Sequence, residues 1–516
     1  MAVASQARAP AEPGSVRLAV RRIDALPDPE RAFAHLYGAS ESAFWLDGGA
    51  AGERARFSFM GDAAGPLASV VSYDVGTGRV RVKRGARIET RRESIFDHLE
   101  RERRRWRALA SDFPGLPFDF DCGFAGYLGY ELKAECDGVA AHEAATPDAA
   151  FVFADRLIAF DRRERRTYLA QLHRICPPRG GRFDAAAPAA GGGGWIEETA
   201  RRLAALPALP EPAVGIGPPA LRLRRSRERY LADVAACRRH LAAGHSYEIC
   251  LTNKVAGEAD ADPLTVYRSL RRANPAPFSA FLRFGELAVL SSSPERFLAV
   301  DGEGWAESRP IKGTSRRGAT PEEDARLARA LGEDGKSRAE NVTIVDLVRN
   351  DLGRVCEPGT VGVPELMRVE TYETVHQLVS AVRGRLRAGV GAVECARACF
   401  PPGSMTGAPK RRTMEILDEL EGEARGVYSG AIGYFGLGGA CDLSVAIRTI
   451  ALDGERIELG AGGAIVADSD PAAELSEMLL KAAAPAAALG PGAAISFDSP
   501  VLRERIRSRP PSPTPS

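Results

Sequence analysis

The 516 residues, 55.1 kDa, exceed what one simple core accommodates and leave room for a large cleft. With 69 Lys+Arg against 68 Asp+Glu, no global field draws the chain to nucleic acid or an anionic membrane, so a locally bound small ligand is the expected partner. Nine scattered cysteines argue against a disulfide framework, and with no apolar leader and no run near the ~20 apolar residues that span a bilayer, a soluble cytoplasmic protein is expected.

Residues 1 to about 15 are rich in Ala and Pro and read as a disordered tail, as does Arg509–Ser516, the Pro-rich end of a C-terminal tail over 491–516. The runs Phe57–Met60, Ser69–Tyr73 and Arg79–Lys83 alternate as strands, with Asp74–Gly78 as a hairpin turn. The basic run Arg101–Arg107 reads as a polar helix face. Phe124–Tyr130 spaces glycines through an aromatic strand, a pattern suited to close backbone packing. The glycine-rich stretch 184–194 and five prolines between 206 and 219 mark the main break, dividing a region 16–220 from a region 221–490. Beyond it, Ser226 caps a helix over 227–243 that Gly244 stops. Strands follow at 248–253, 278–284 and 287–291. Thr320-Pro-Glu-Glu323 is a capping box opening a helix toward Leu331, and further helices are expected over 340–352, 409–420 and 471–482. Gly436–Gly439 and Gly460–Gly463 lie between apolar runs and do not open a helix, so a dinucleotide site is not indicated; Cys395 and Cys399 read as small buried hydrophobes.

The loop Arg309-Pro-Ile-Lys-Gly-Thr314 sets Lys312 between a proline and a glycine, so a stiff turn is expected to present it. Lys312 becomes a nucleophile if desolvation or the nearby Arg309, Arg316 and Arg317 lower its pKa; the alternative is a surface lysine in a basic turn. Glu474 and Glu477 share a helix face, where a divalent ion would remove their repulsion, and Glu340 can complete an all-oxygen site of the kind Mg²⁺ takes. The alternative is acids complementing helix dipoles, with Lys481 paired to Glu477. Glu295 follows a strand, His376 sits in a β-like run, and Arg448 is a lone cation in an otherwise apolar strand that needs a carboxylate partner.

Ser293-Pro-Glu-Arg-Phe297, Pro310-Ile-Lys-Gly-Thr314, Arg338–Arg354, Val375–Ser380, Pro401–Lys410, Tyr428–Tyr434 and Ala446-Ile-Arg-Thr449 form seven ordered blocks. Together they resemble the chorismate-utilising enzymes. Phe44-Trp-Leu-Asp47, Arg56–Gly61 and Gly126–Glu131 resemble their amino-transferring branch. The resemblance implies an α+β fold: a large two-subdomain, β-sandwich-like core with surrounding helices and a central cleft. Residues 16–220 would be an N-terminal region like anthranilate synthase component I, and 221–490 the chorismate-binding catalytic region.

Within the branch, anthranilate synthases carry alanine where this chain has Lys312. The resemblance therefore implies amination of chorismate to 4-amino-4-deoxychorismate, with anthranilate synthesis as the alternative. Lys312 would attack C2 of the chorismate ring as the C4 hydroxyl leaves, Glu295 would protonate that hydroxyl, and ammonia would then enter at C4 and expel the lysine. His376 would line the ring site. Arg448, Tyr428, Gly462 and Gly463, with Gly313 and Thr314 of the lysine loop, would bind substrate. Mg²⁺ would bridge Glu340 and Glu477, with Glu474 close by, to a substrate carboxylate; Ser337 stands where anthranilate synthases place a second acid. Glu248 occupies the early-strand position where isochorismate and salicylate synthases carry a base lysine. No cysteine sits in a Gly-x-Cys-x-Gly elbow, so glutamine use would require a separate glutaminase subunit of the class I amidotransferase type.

Overall fold

Uninterrupted apolar runs such as Ala149–Ala154, and Leu287 to Leu290 within Leu287–Ser293, bury both faces of a strand, so these strands need cover on two sides. The structure, a computed structural model, describes residues 16–48, 56–112, 115–174, 193–212, 219–372, 375–490 and 493–496. Among these, the strands form a 14-stranded and a 12-stranded sheet. Period-two alternation divides the apolar side chains between two cores. Phe44, Phe59 and Leu282 enter a core shared by both sheets, whereas their neighbours Trp45, Met60 and Phe281 enter a second core. Tyr127 of one sheet meets Phe284 of the other edge-to-face at 6.0 Å, and Phe59 meets Tyr434 at 5.7 Å. The second core is closed by Phe33, Tyr230, Tyr267 and Leu475 from the helices Pro29–Tyr37, Arg227–Ala242, Pro263–Ala273 and Pro471–Ala487. The sandwich with surrounding helices is the α+β architecture expected from the sequence.

Strands from either side of residue 220 interleave. Ser42–Asp47 pairs with Phe278–Phe284 in the larger sheet, and Gly123–Leu128 with Ala431–Gly436 in the smaller. The expected tails 1–15 and 497–516, residues 184–192 of the glycine-rich stretch and 213–218 of the proline-rich one lie outside the described residues. Ala494–Ser496, expected in the C-terminal tail, instead adds a parallel strand beside Ala220–Leu223.

Two of the chain's crossings between the sheets lie near one another. Leu287–Ser293 belongs to the larger sheet and Arg296–Val300 to the smaller, so Pro294-Glu295 is a crossing; Ala446–Arg448 is a second, between Cys441–Val445 and Thr449–Asp453. The crossings are tied by Ser292 N–H donating to Arg448 O at 3.1 Å and Val445 N–H donating to Glu295 O at 2.9 Å.

Two helix starts are capped as read, Ser226 accepting from Arg229 N and Thr320 from Glu323 N, and the helix expected from residue 471 is capped by Asp470, which accepts from Ala473 N. The helix expected from residue 340 instead spans Gly335–Gly353. Asp334 caps it, accepting from Ser337 N at 2.7 Å, which places Glu340 in its second turn. The eight described cysteines are free, and no helix among the described residues is long and apolar enough to cross a membrane.

Candidate active site

Lys312 lies in a strand, Ile311–Arg316, and not in the loop its neighbours suggest. Pro310 only separates this strand from Trp305–Arg309, because both pair with the long strand Val375–Arg385. Ile311 faces Val379 but Thr314 faces Gln377, so Lys312 and Gly313 together oppose Leu378 and the register shifts there. Such a bulge re-aims a side chain. Gly313 has φ of +94°, and a Cβ there would come within 2.7 Å of Ser337 Oγ, so glycine alone lets the strand lie against the helix Gly335–Gly353.

The redirected Lys312 side chain is buried, and its Nζ lies 2.5 Å from Glu248 Oε1. Burial pulls the lysine pKa down, but the Glu248 carboxylate outweighs it and holds the ammonium above the ordinary lysine range. The expected depression by neighbouring cations is therefore corrected. Arg309 is neutralised by Glu365 and Glu370 at 2.6 and 2.8 Å, Arg316 pairs with Glu323, and Arg317 with Asp324. Glu248 begins the strand Glu248–Glu258 and shares parity with Cys250, which faces the core between the sheets. The Lys312–Glu248 pair thus joins the smaller sheet to the larger.

Glu295 stands on the first crossing and is 5 % exposed. Burial pushes its carboxyl up to about 7, against hydrogen bonds from Ser404 and the Ile311 N–H and the nearby Lys312 charge. A carboxyl in that range is poised to donate a proton near neutrality. Arg448 stands on the second crossing with φ of +52°, a break in what reads as one apolar strand. Half-buried, it makes no ion pair with a described carboxylate, and burial draws its guanidinium below the ordinary arginine range. An unpaired cation of this kind suits an anionic ligand. Tyr428 is buried over Gly460, where a Cβ would come within 2.1 Å of its ring. Beyond Leu459, the strand Arg456–Ile465 pairs, among the described residues, with Glu248–Glu258 alone, since its pairing with Thr449–Asp453 ends at Ile450 opposite Leu459. Its open edge at Gly460–Gly463 leaves alternate backbone groups unpaired by any strand, and Gly462 and Gly463 lie on it.

The three candidate metal ligands converge without forming a cluster of three acidic groups in metal-holding geometry among the described residues. A Cβ at Gly463 would lie 3.2 Å from Glu474 Oε2 and 3.8 Å from Glu477 Oε1, so glycine keeps this space open. Lysines now take the carboxylates. Lys336 Nζ lies 3.0 Å from Glu474 Oε1 and 3.8 Å from Glu340 Oε1, and Lys481 Nζ lies 2.7 Å from Glu477 Oε1. Burial works against ionised Glu477, but Lys481 holds it below the ordinary carboxylate range, whereas burial pushes Glu340 up to about 7. Glu474 Oε2 is buried without a hydrogen-bond partner.

His376 is buried with both ring nitrogens engaged: Nε2 with Asp324 Oδ1 at 2.9 Å, and Nδ1 with the Thr371 hydroxyl at 2.8 Å. Thr314 is exposed and pairs with Gln377. Sequence reasoning missed the partners of the site, Glu248 for Lys312 and Lys336 for Glu474, because each contact joins distant stretches; an acid at the first position of a strand otherwise apolar through Leu251 was the available signal for Glu248.

Residues 42–487 match the family described as chorismate binding enzyme. The chain is 50% identical over 484 residues to "Aminodeoxychorismate synthase" of Streptomyces pristinaespiralis, covering 92% of this chain but 66% of that relative, just under two thirds of its length. "Anthranilate synthase component 1" of Streptomyces coelicolor is 37% identical, over 90% of this chain and 86% of its own length. The solved anthranilate synthase component I of Streptococcus pneumoniae is 28% identical with a TM-score of 0.67, covering 83% of this chain and 92% of its own.

Glu295 carries a pH signature. Its carboxyl keeps its proton to about pH 7 when folded, whereas an ordinary glutamate releases it near 4.5, so folding loses stability as pH rises through that window. Glu295→Gln lacks this loss. Its melting temperature relative to the parent chain should climb between pH 4.5 and 7 and then level off; a difference constant across that range would show that Glu295 is ionised throughout.

Proposed function

The chain belongs to the chorismate binding enzyme family, and from that premise we propose that it aminates chorismate to 4-amino-4-deoxychorismate through a covalent bond to Lys312. The observation that supports this reading best is the buried Lys312, aimed by a bulge into the gap between the sheets, with Glu295, whose carboxyl burial pushes up to about 7, on the adjoining crossing. Nζ attacks C2, Glu295 gives its proton to the departing C4 hydroxyl, and ammonia then takes C4 and releases the lysine. Splitting one displacement into two lets the same face of the ring be opened and refilled. Arg448 and Tyr428 hold the enolpyruvyl carboxylate, assisted by backbone groups on the open edge at Gly462 and Gly463.

Glu340, Glu474 and Glu477 fit a hard divalent cation such as Mg²⁺: they present oxygen donors only, one buried oxygen lacks a partner, and Lys336 stands where a cation's charge is wanted. When bound, Mg²⁺ supplies charge to orient a substrate carboxylate. Ammonia comes free or from a separate glutaminase subunit. Cys136 and Cys356 are unsuited to that task, since burial pushes their thiols up to about 12 and about 11. We further propose that the reaction takes place in the cytoplasm.

Chromatography of reactions with chorismate, Mg²⁺ and an ammonium salt tests the assignment. The parent chain should release 4-amino-4-deoxychorismate and Lys312→Ala should fall to background while still binding chorismate; anthranilate as the product, or a fully active alanine variant, would overturn it. Because Lys336 is half-exposed and competes for the same oxygens, Lys336→Gln should bind Mg²⁺ about threefold tighter by calorimetry without substrate, the worth of one partly exposed ion pair. Unchanged or weaker binding would remove these carboxylates from the metal site.

A further inference from the structure

Resting on the lysine-adduct reading above, we infer that Glu248 is the catalytic base: it takes a proton from Lys312 Nζ before attack and holds it for as long as the substrate is bound to that nitrogen. An ammonium cannot attack carbon, since its nitrogen has no free electron pair. Lys312 rests as an ammonium against Glu248, so the first chemical event must be loss of a proton to a neighbouring group.

Among the described residues, one acceptor is in contact with Nζ. Glu248 Oε1 is 2.5 Å away, and Glu248 is 1 % exposed. Glu295 has to arrive protonated to release the hydroxyl, so it cannot also take this proton. Cys250, on the same strand as Glu248, has its thiol pushed up by burial. Glu340, from the helix Gly335–Gly353, and Glu477, from Pro471–Ala487, act on Lys312 only at longer range and face Lys336 and Lys481. His376, on the strand paired with Ile311–Arg316, and Arg317 are both engaged by Asp324.

Burial lowers the cost of this transfer, although the ion pair is the resting form. An ammonium and a carboxylate out of water that exchange one proton become two neutral groups, which removes two desolvated charges without changing the proton count. Glu248 Oε2 is buried and without a hydrogen-bond partner, so the ionised carboxylate lacks part of the solvation it would have in water.

The protons balance over the cycle. Lys312 gives one to Glu248, and its amine forms the bond to C2 while the ring double bonds shift and the C4–O bond breaks. Glu295 supplies the proton with which that oxygen leaves as water. Ammonia then bonds to C4, and the C2–Nζ electron pair returns to Nζ, which departs as a neutral amine. The new ammonium on C4 restores the Glu295 proton, and Glu248 returns its own to Lys312. The sum is chorismate plus ammonia giving aminodeoxychorismate plus water.

The test is Glu248→Gln, with Glu248→Asp and Lys312→Ala beside it, in the full chain with chorismate, Mg²⁺ and ammonium across pH 6.5 to 9.5. Glu248→Gln should bind chorismate yet form adduct and product about 10²-fold or more slower at pH 7, with a rate that climbs with pH as solvent hydroxide replaces the base. Glu248→Asp, which keeps a carboxylate on the strand, should retain a measurable share of the parent rate and its flatter profile. If Glu248 served only to keep Lys312 charged, its removal would free the amine, and Glu248→Gln would match or exceed the parent chain at pH 7; that result overturns the proposal, as does an aspartate variant no better than the glutamine one. A Lys312→Ala chain that still makes product would instead sink the lysine reading itself.

Discussion

One buried contact between oppositely charged groups, Lys312 with Glu248, sets the terms for the rest of the site. It spans the gap between two sheets, and two charges out of water persist only if held close and in the right geometry. The fold supplies that geometry from both sides. The larger sheet begins a strand with Glu248 facing inward, and the smaller sheet inserts a bulge so that Lys312 turns toward it. Gly313 makes the bulge possible by accepting a positive φ with Ser337 close above it. The adjoining Glu421–Arg425 pair is also buried, and Arg425 donates to Cys250 O at 2.9 Å and Met405 O at 2.7 Å, which fixes the strand that carries Glu248.

Around this contact the carboxylates differ by environment alone. Glu295, ringed by the core, is held near neutrality and suits an acid; Glu477, beside Lys481, is held ionised and suits cation binding. Glu295 and Arg448 both stand where the chain leaves one sheet for the other. A crossing is the one place where backbone passes through the gap between layers, so side chains placed there face whatever binds in it.

Much of this was legible in the sequence where the signal is local. The caps Ser226, Thr320 and Asp470 mark where their helices start, because a cap acts over three residues, whereas the helix expected to end at 482 runs on to Ala487. Strand periodicity found Phe278–Phe284 and the hairpin at Asp74–Gly78. What failed was governed by distant pairing. Pro310 and Gly313 read as a turn, but pairing with Val375–Arg385 makes both flanks strands. Arg448 read as mid-strand because the change of sheet leaves no mark in its apolar neighbours. Lys312 was expected to be tuned by cations close in sequence, whereas its partner lies 64 residues upstream and is anionic.

The account depends on a bond between Lys312 and the substrate. Mass spectrometry of enzyme quenched during turnover, with ammonia limiting so that the second displacement is slow, reads that bond directly. The account predicts that the peptide containing Lys312 gains the mass of chorismate less one water, and that the gain disappears when ammonia is restored. A peptide that stays unmodified while product accumulates would contradict it.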